Sequence, residues 1–579
     1  MMPIVSSAPA PGRPGRARRL AALAALASAL LWTSACAVET RAGSLLTYPG
    51  EKIAWQPCGQ AHGRDLECSD IDVPMDQFHP RGDKKFNVPL IRMRGKNATQ
   101  NLLLNPGGPG ESGLGFLHTD GSQLHDVVGE NWHLLSFDPR GINKSRPAAV
   151  CYPNRATRRS RFRFSDPDSI SRSAERYAWT ANYVQSCADI MGEHARYINT
   201  PQTAADMNSI LDAVGQKDMV FWGFSYGTLL GQTYGALFPQ RSRRIVIDGV
   251  TDYFDWYQSR ILRGDFVDTV NVLDGFFDEC VKAGDGCALA SQARSKEELR
   301  QKVMAFLRQL YSHPMPVYVD VRRQGVLTYA TVLNEAIYGS LFSPSTWPRL
   351  ARQLAGAMAG NATEAFLAYG DYDPVDSKKG AAGAADETND IVDLNDGLTG
   401  PDNWPQGRKG LVDYLTPWYE SSPFFFQMNR EYYAKQQWSI PKGHDFVPRR
   451  GVRLAHPMLV ISTTYDPVCP LQSAKAARDA FDGSRLVEIR GYGHCSLALP
   501  SLCMAKHLRA YLGDDGTLPA HHTMCEADRP YFSGGGPGGR SRKRSVVAQH
   551  LADVEEEAKV HAAQVALAEV PRRRGLRRR

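Results

Sequence analysis

One serine, one aspartate and one histidine each follow a short apolar run, and together they could perform acyl transfer. Ser225 stands in Gly223-Phe224-Ser225-Tyr226-Gly227, after the apolar run Met219–Trp222 and before a helical stretch, Thr228–Phe238, that stops at Pro239. A Gly-x-Ser-x-Gly between strand and helix is a nucleophile elbow. The turn is so tight that the flanking side chains must vanish, and the serine hydroxyl then projects clear of the sheet. The following helix turns its first amide groups and the positive end of its dipole toward developing negative charge.

A serine needs a base, and the base needs a group to orient it. Asp466, in Thr464-Tyr465-Asp466-Pro467-Val468, follows the run Pro457–Thr463. His494, in Gly491-Tyr492-Gly493-His494-Cys495, follows Leu486–Arg490. The chain order Ser, Asp, His is that of α/β-hydrolases. In this reading Ser225 attacks a carbonyl and His494 takes its proton. Asp466 holds the imidazole tautomer and stabilises its cation. A second glycine-rich segment, Asn105-Pro106-Gly107-Gly108-Pro109-Gly110-Glu111-Ser112-Gly113, lets backbone amides approach a substrate oxygen. The expected oxyanion donors are the amides of Gly108 and Tyr226. The segment lacks the lysine of a phosphate loop. Asp138-Pro139-Arg140-Gly141 closes another strand and reads as a turn with an ion pair supporting these loops.

These loops need strands to carry them. Phe86–Met93, Asn101–Leu104, His133–Phe137, Met219–Phe224 and Arg244–Ile247 are short, β-branched or aromatic, and end at Gly, Pro or Asp. With Pro457–Thr463 and Leu486–Arg490 they predict the buried strands of a mostly parallel sheet. From about 255 to 450 helical patterns dominate, as in Phe266–Cys280, Lys296–Tyr311, Tyr329–Leu341 and Trp347–Met358. The organisation expected is a signal peptide at 1–37, core at 38–254, helical cap at 255–450, and core with a C-terminal extension at 451–532. A disordered Gly-rich and basic tail is expected at 533–579, with a pattern over 546–568 that could form a lone helix.

Composition agrees with a folded enzyme. Of 579 residues 42% are hydrophobic and 22% charged, which excludes a disordered or collagen-like chain. The net charge of +7 belongs to the ends, +4 from residues 1–37 and +6 from 540–579. The body is therefore −3, which argues against nucleic acid as a partner. The start reads as a secretory signal. Arg13, Arg16, Arg18 and Arg19 precede the apolar stretch Leu20–Trp32, and Ala35-Cys36-Ala37 fits a cleavage site. That stretch is too short to span a bilayer, so no integral membrane segment is expected after cleavage.

Cleavage after Ala37 would leave ten of the eleven cysteines, an even number suited to an oxidising compartment. Short spacing suggests Cys58–Cys68 and Cys280–Cys287. A Cys469–Cys495 bridge would tie the acid and base loops together, and Cys503 would then pair with Cys525. No Cys-x-x-Cys occurs, and neither a metal nor an organic cofactor is implied. Sequons at Asn97, Asn143 and Asn361 are glycosylation candidates.

The set Asn-Pro-Gly-Gly-Pro-Gly (105–110), Asp-Pro-Arg-Gly (138–141), Gly-Phe-Ser-Tyr-Gly (223–227), Asp-Pro-Val (466–468) and Gly-His-Cys (493–495) resembles the secreted tripeptidyl/prolyl aminopeptidase family over about residues 50–530. Gly-His-Cys is similar to fungal members, and Cys503–Cys525 resembles the family's C-terminal extension. Residues 386–450 depart in lacking the cysteine pair that fungal relatives often carry there. The resemblance implies an α/β-hydrolase fold: a mostly parallel central sheet with a helical cap between the strands bearing nucleophile and acid. It also implies a secreted exopeptidase, expected to be monomeric, that acts on peptides with free N-termini. Cap carboxylates would bind the substrate ammonium, and the candidates are Glu111, Asp396 and Glu420. Two other readings share the motifs, a secreted carboxylesterase or lipase-like hydrolase and a non-catalytic binding protein on the same fold.

Overall fold

The computed structural model describes residues 45–154, 157–158, 170–370, 385–425, 429–532 and 548–570. The expected signal peptide, Cys36 and the stretch 533–547 lie outside the described residues.

Ten strands form one sheet in the order β1-β2-β3-β5-β4-β6-β7-β10-β11-β12. They are β1 (Gln56–Ala61), β2 (Arg64–Pro74), β3 (Lys85–Met93), β4 (Gln100–Asn105), β5 (Trp132–Phe137), β6 (Met219–Phe224), β7 (Ser242–Asp248), β10 (Leu459–Tyr465), β11 (Arg485–Tyr492) and β12 (His522–Glu526). The first three pair antiparallel, and β3 joins β5 antiparallel. From β5 to β12 every pairing is parallel.

The central strands are apolar throughout because both faces are covered. Leu103, Leu135, Phe137, Phe221, Ile245 and Ile247 point into one buried cluster. Leu102, Leu104, Leu134, Val220, Trp222 and Val246, their alternates along the same strands, point into another. At about 25 cal/mol per Å² of apolar surface, this two-sided burial is the main drive to form the sheet. The seven predicted strands are all present. β1, β2 and β12 were not predicted, since QPCGQA, RDLECSDIDVP and HTMCE mix polar with apolar residues. β2 nevertheless carries Glu67 into a buried pair with Arg92, 3.0 Å apart.

Between β7 and β10 the chain leaves the sheet for an insert of helices, with one hairpin of β8 (Met315–Asp320) and β9 (Arg323–Leu327). The insert has an apolar core of its own, including Val272, Phe276, Leu307, Ile337, Trp347, Leu350 and Phe366.

Four disulfides occur among the described residues: Cys58–Cys68, Cys151–Cys187, Cys280–Cys287 and Cys503–Cys525. The expected Cys469–Cys495 bridge is absent, and both cysteines are buried and not disulfide-bonded. The cause is local. Cys469 donates its N–H to Asp466 Oδ1 at 2.8 Å and turns its sulfur to Thr251 Oγ1 at 3.7 Å. Cys495 donates its N–H to Asp466 Oδ2 at 3.1 Å with φ +63, which lays its sulfur against Gly249.

The expected disordered tail also needs correction. Ala548–Glu569 is a helix. Val560, Ala563 and Leu567 enter the same cluster as Leu117, Leu508 and Leu512. Lys506–Glu557 at 2.6 Å, Arg509–Glu556 at 2.8 Å and Lys559–Asp126 at 3.1 Å flank that seam. Small residues on one helical face let it lie close, and charges on its edges meet opposite charges. Deleting 548–579 is therefore expected to lower the unfolding midpoint by several degrees in calorimetry. An unchanged midpoint would mean that the helix does not dock in solution.

No described helix is long and apolar enough to cross a membrane.

Candidate active site

The elbow is built as its glycines require. β6 ends at Phe224, and the helix Tyr226–Leu237 begins two residues later. Ser225 between them has φ +55 and ψ −126, a strained conformation held by its surroundings. A Cβ on Gly223 would lie 2.3 Å from Gly227 O, and one on Gly227 would lie 2.7 Å from Asn105 O. Helix, strand and loop thus meet only because both positions lack side chains.

His494 and Asp466 come together on the neighbouring strand ends. His494 Nδ1 is 2.9 Å from each oxygen of Asp466. Oδ1 also accepts N–H groups from Val468 at 3.0 Å and Cys469 at 2.8 Å, and Oδ2 accepts that of Cys495. Four donors thus converge on one buried carboxylate. His494 is further held by its N–H on Phe342 O at 3.0 Å, with the Phe342 ring edge-on at 5.2 Å. Phe342 belongs to the insert, so the insert helps to place the ring.

Ser225 joins this group through two links. Its N–H donates to Asp248 O at 3.0 Å, at the end of β7. Its hydroxyl meets the Cys469 thiol, which burial and the charges of Asp466 and Asp265 push well above its ordinary pKa. Cys469 is therefore a neutral thiol beside the serine.

The glycine-rich loop lies directly over the elbow. A Cβ on Gly107 would come within 2.5 Å of Phe224 O and 3.2 Å of Tyr226 N. The Gly107 N–H is used by Asn105 Oδ1 at 3.0 Å, so the amide available next along the loop is that of Gly108. Glu111 sits on the same loop, its Cγ near Gly108. Behind it Asp138 accepts from Ser112 Oγ at 2.6 Å and from Asn143 Nδ2 at 2.7 Å. Asn143, itself exposed, also donates from Nδ2 to Ser112 Oγ at 3.0 Å and so ties the loop together. Asn97 and Asn361 are exposed. Arg140 is buried against Asp206 at 2.5 Å, the ion pair expected of that turn.

Two of the three candidate ammonium ligands do not face this site. Asp396 is fully buried, bonded to Thr200 N at 2.8 Å, Thr200 Oγ1 at 2.5 Å and Trp256 Nε1 at 2.9 Å. Thr200 Oγ1 also meets the Tyr226 hydroxyl at 2.5 Å, so Asp396 fastens the insert to the elbow helix. Burial raises its pKa to about 6. Glu420 is exposed on the helix Gly407–Ser421.

A different acid cluster was not read from the sequence. Asp265, on the short helix Gly264–Val267, acts on the Cys469 thiol by its charge. Burial, and then the nearby Glu431 carboxylate, hold Asp265 well above the usual carboxylate range. The Lys435 ammonium lies there, 3.0 Å from Asp393 and 3.9 Å from Glu431. Three carboxyls, those of Asp265, Asp393 and Glu431, act on that ammonium. No motif announces these residues, because they lie on separate helices far apart in the chain.

Elbow, oxyanion loop and the Asp466–His494 pair at the C-terminal edge of a parallel sheet define a serine-type α/β-hydrolase. The chain belongs to the α/β-hydrolase fold family, whose model matches residues 100–394. A second model, described as TAP-like protein, matches residues 425–525, the stretch bearing acid and base. Among curated proteins the chain is similar to serine protease Hip1 of Mycobacterium tuberculosis, 26% identical over 82% of this chain and 91% of that one. It is similar to tripeptidyl aminopeptidase of Streptomyces coelicolor, 26% identical over 80% of this chain and 84% of that one. It is also similar to carboxylesterase B of Mycobacterium tuberculosis, 26% identical over 82% and 89%.

Proposed function

We propose that this protein is a secreted serine exopeptidase that releases short peptides or single residues from free N-termini. The observation that carries the reading is the His494–Asp466 pair at 2.9 Å beside the Ser225 elbow. The relatives named as a serine protease and a tripeptidyl aminopeptidase support it. Four disulfides and the basic–apolar–small start of the chain support export.

The reaction runs in two halves. Ser225 Oγ attacks the peptide carbonyl as His494 Nε2 takes its proton. Asp466 holds Nδ1–H and the imidazolium that forms. The oxyanion is met by the amides of Tyr226 and Gly108. His494 then gives its proton to the leaving amine. Water, activated by the same imidazole, frees the acyl group from Ser225. The insert, residues 255–450 in this reading, is the cap that admits only chain ends. Asp265 and Glu431 are its readers of the substrate ammonium, because Asp265, buried beside Cys469 and with Glu431 next to it, concentrates negative charge near the nucleophile.

The test is one plate of free and N-acetylated mono-, di- and tripeptide p-nitroanilides beside a short-chain p-nitrophenyl ester. Cleavage of a free peptide but not its acetylated twin is expected, and the substrate cleaved sets the released length. Ester turnover alone would move the protein to the esterase class. Equal cleavage of free and acetylated peptides would remove the exopeptidase reading.

A further inference from the structure

Three consecutive residues of the base loop are held by two aspartates. Asp466 takes His494 Nδ1 at 2.9 Å and Cys495 N–H at 3.1 Å. The next residue, Ser496, is taken by a different carboxylate. Its N–H donates to Asp248 Oδ1 at 2.8 Å and its hydroxyl to Asp248 Oδ2 at 2.5 Å. Asp248 ends β7, and Asp466 lies just past the end of β10, the strand paired beside it with Ile461 opposite Asp248. Asp248 is fully buried. Its backbone carbonyl accepts the N–H of Ser225. One residue therefore fastens the nucleophile by its main chain and the base loop by its side chain.

A carboxylate with no exposure is costly unless it is bonded; here the amide and hydroxyl of Ser496 hold it, with the Trp222 indole of β6 beside them. A buried Asn or Ser at the same place would fasten the loop without that cost. The charge itself acts on the loop, since His494 is the titratable group whose field reaches Asp248. Burial raises the Asp248 pKa to about 6, and the Ser496 bonds oppose that rise.

We propose that Asp248 is a second positioning carboxylate for the base: it sets the place of His494 relative to Ser225 through Ser496, and shares with Asp466 the stabilisation of the imidazolium. The proposal rests on the serine-hydrolase reading of the site but not on the choice of substrate.

The experiment compares the parent, Asp248→Asn and Ser496→Ala, each checked for folding by thermal melt. The first readout is the rate of Ser225 labelling by a fluorophosphonate, which needs the base but no peptide. The second is the pH profile of kcat/KM on whichever substrate is cleaved. Asp248→Asn is expected to label about 10- to 100-fold more slowly, with KM little changed. The acid limb of its profile is expected to move to lower pH, because the protonated ring loses a neighbouring negative charge. Ser496→Ala keeps the amide bond to Asp248 and is expected to label about 3- to 10-fold more slowly. A folded Asp248→Asn with the parental labelling rate, or with an unmoved acid limb, overturns the proposal. If Asp248→Asn does not fold, a parental rate in Ser496→Ala overturns it. A parent that labels but releases no peptide removes the exopeptidase reading and leaves this comparison intact.

Discussion

Ser225→Ala is expected to lower kcat by about 10⁴- to 10⁶-fold while leaving the unfolding midpoint within a degree or two. The hydroxyl is the attacking atom in the proposed reaction, and nothing at the elbow depends on it for folding. The turn is held by main-chain bonds, Ser225 N–H to Asp248 O at 3.0 Å and Thr228 N–H to Ser225 O at 2.8 Å. Alanine keeps both. His494→Ala should lose a similar factor, because the base and the nucleophile act as a unit and their losses do not add. Active-site titration of parent and variants with a chromogenic substrate checks this. A variant retaining more than about one hundredth of parental turnover would take the nucleophile's role from Ser225.

The second large effect concerns the amine. Replacing Asp265 with Asn and Glu431 with Gln is expected to cost about 10- to 100-fold in kcat/KM on a free-amine peptide. An acetylated peptide or an ester should be almost unaffected. A hydrogen bond to a charged group contributes about 1.5–3 kcal/mol, and every 1.4 kcal/mol is a factor of ten. The pH sign follows from the raised pKa of Asp265. A protonated carboxyl does not attract an ammonium. Raising the pH through the titration of Asp265 should therefore lower KM for the free amine, until the amine itself loses its proton. For the acetylated or ester substrate KM should stay flat over the same range. A parallel loss on both substrates in the double variant would make these acids structural.

The chemistry was legible where glycine brackets it. Gly223 and Gly227, and the run Gly107–Gly110, announce close backbone approach by composition alone. The acid and base were legible because each follows an apolar strand. Asp265 and Glu431 were not, since a carboxylate on a helix looks solvated until the helix facing it is known. Asp248 left only a faint signal, an acid directly after Ile245-Val246-Ile247. The Cys469–Cys495 expectation failed because adjacency to touching residues does not fix side-chain direction. The positive φ of Cys495 turns its sulfur toward Gly249. The pattern of the last helix was legible, but its docking was not, because its basic flanks outweigh, in composition, the few small apolar residues that dock it.

The sheet order has a consequence for the life of the chain before it is complete. β6, which leads into Ser225, emerges long before β10 and β11, which lead into Asp466 and His494, and β10 must slot in beside β7 across the whole insert. At roughly 5–20 residues per second of synthesis, the chain carries its serine for roughly 12–50 s before the acid is made, and longer before the base. In the proposed reaction the serine has no base through that interval. If the proposed triad holds, a hydrolase wired in this order acquires its base last and has no working site while it is being made.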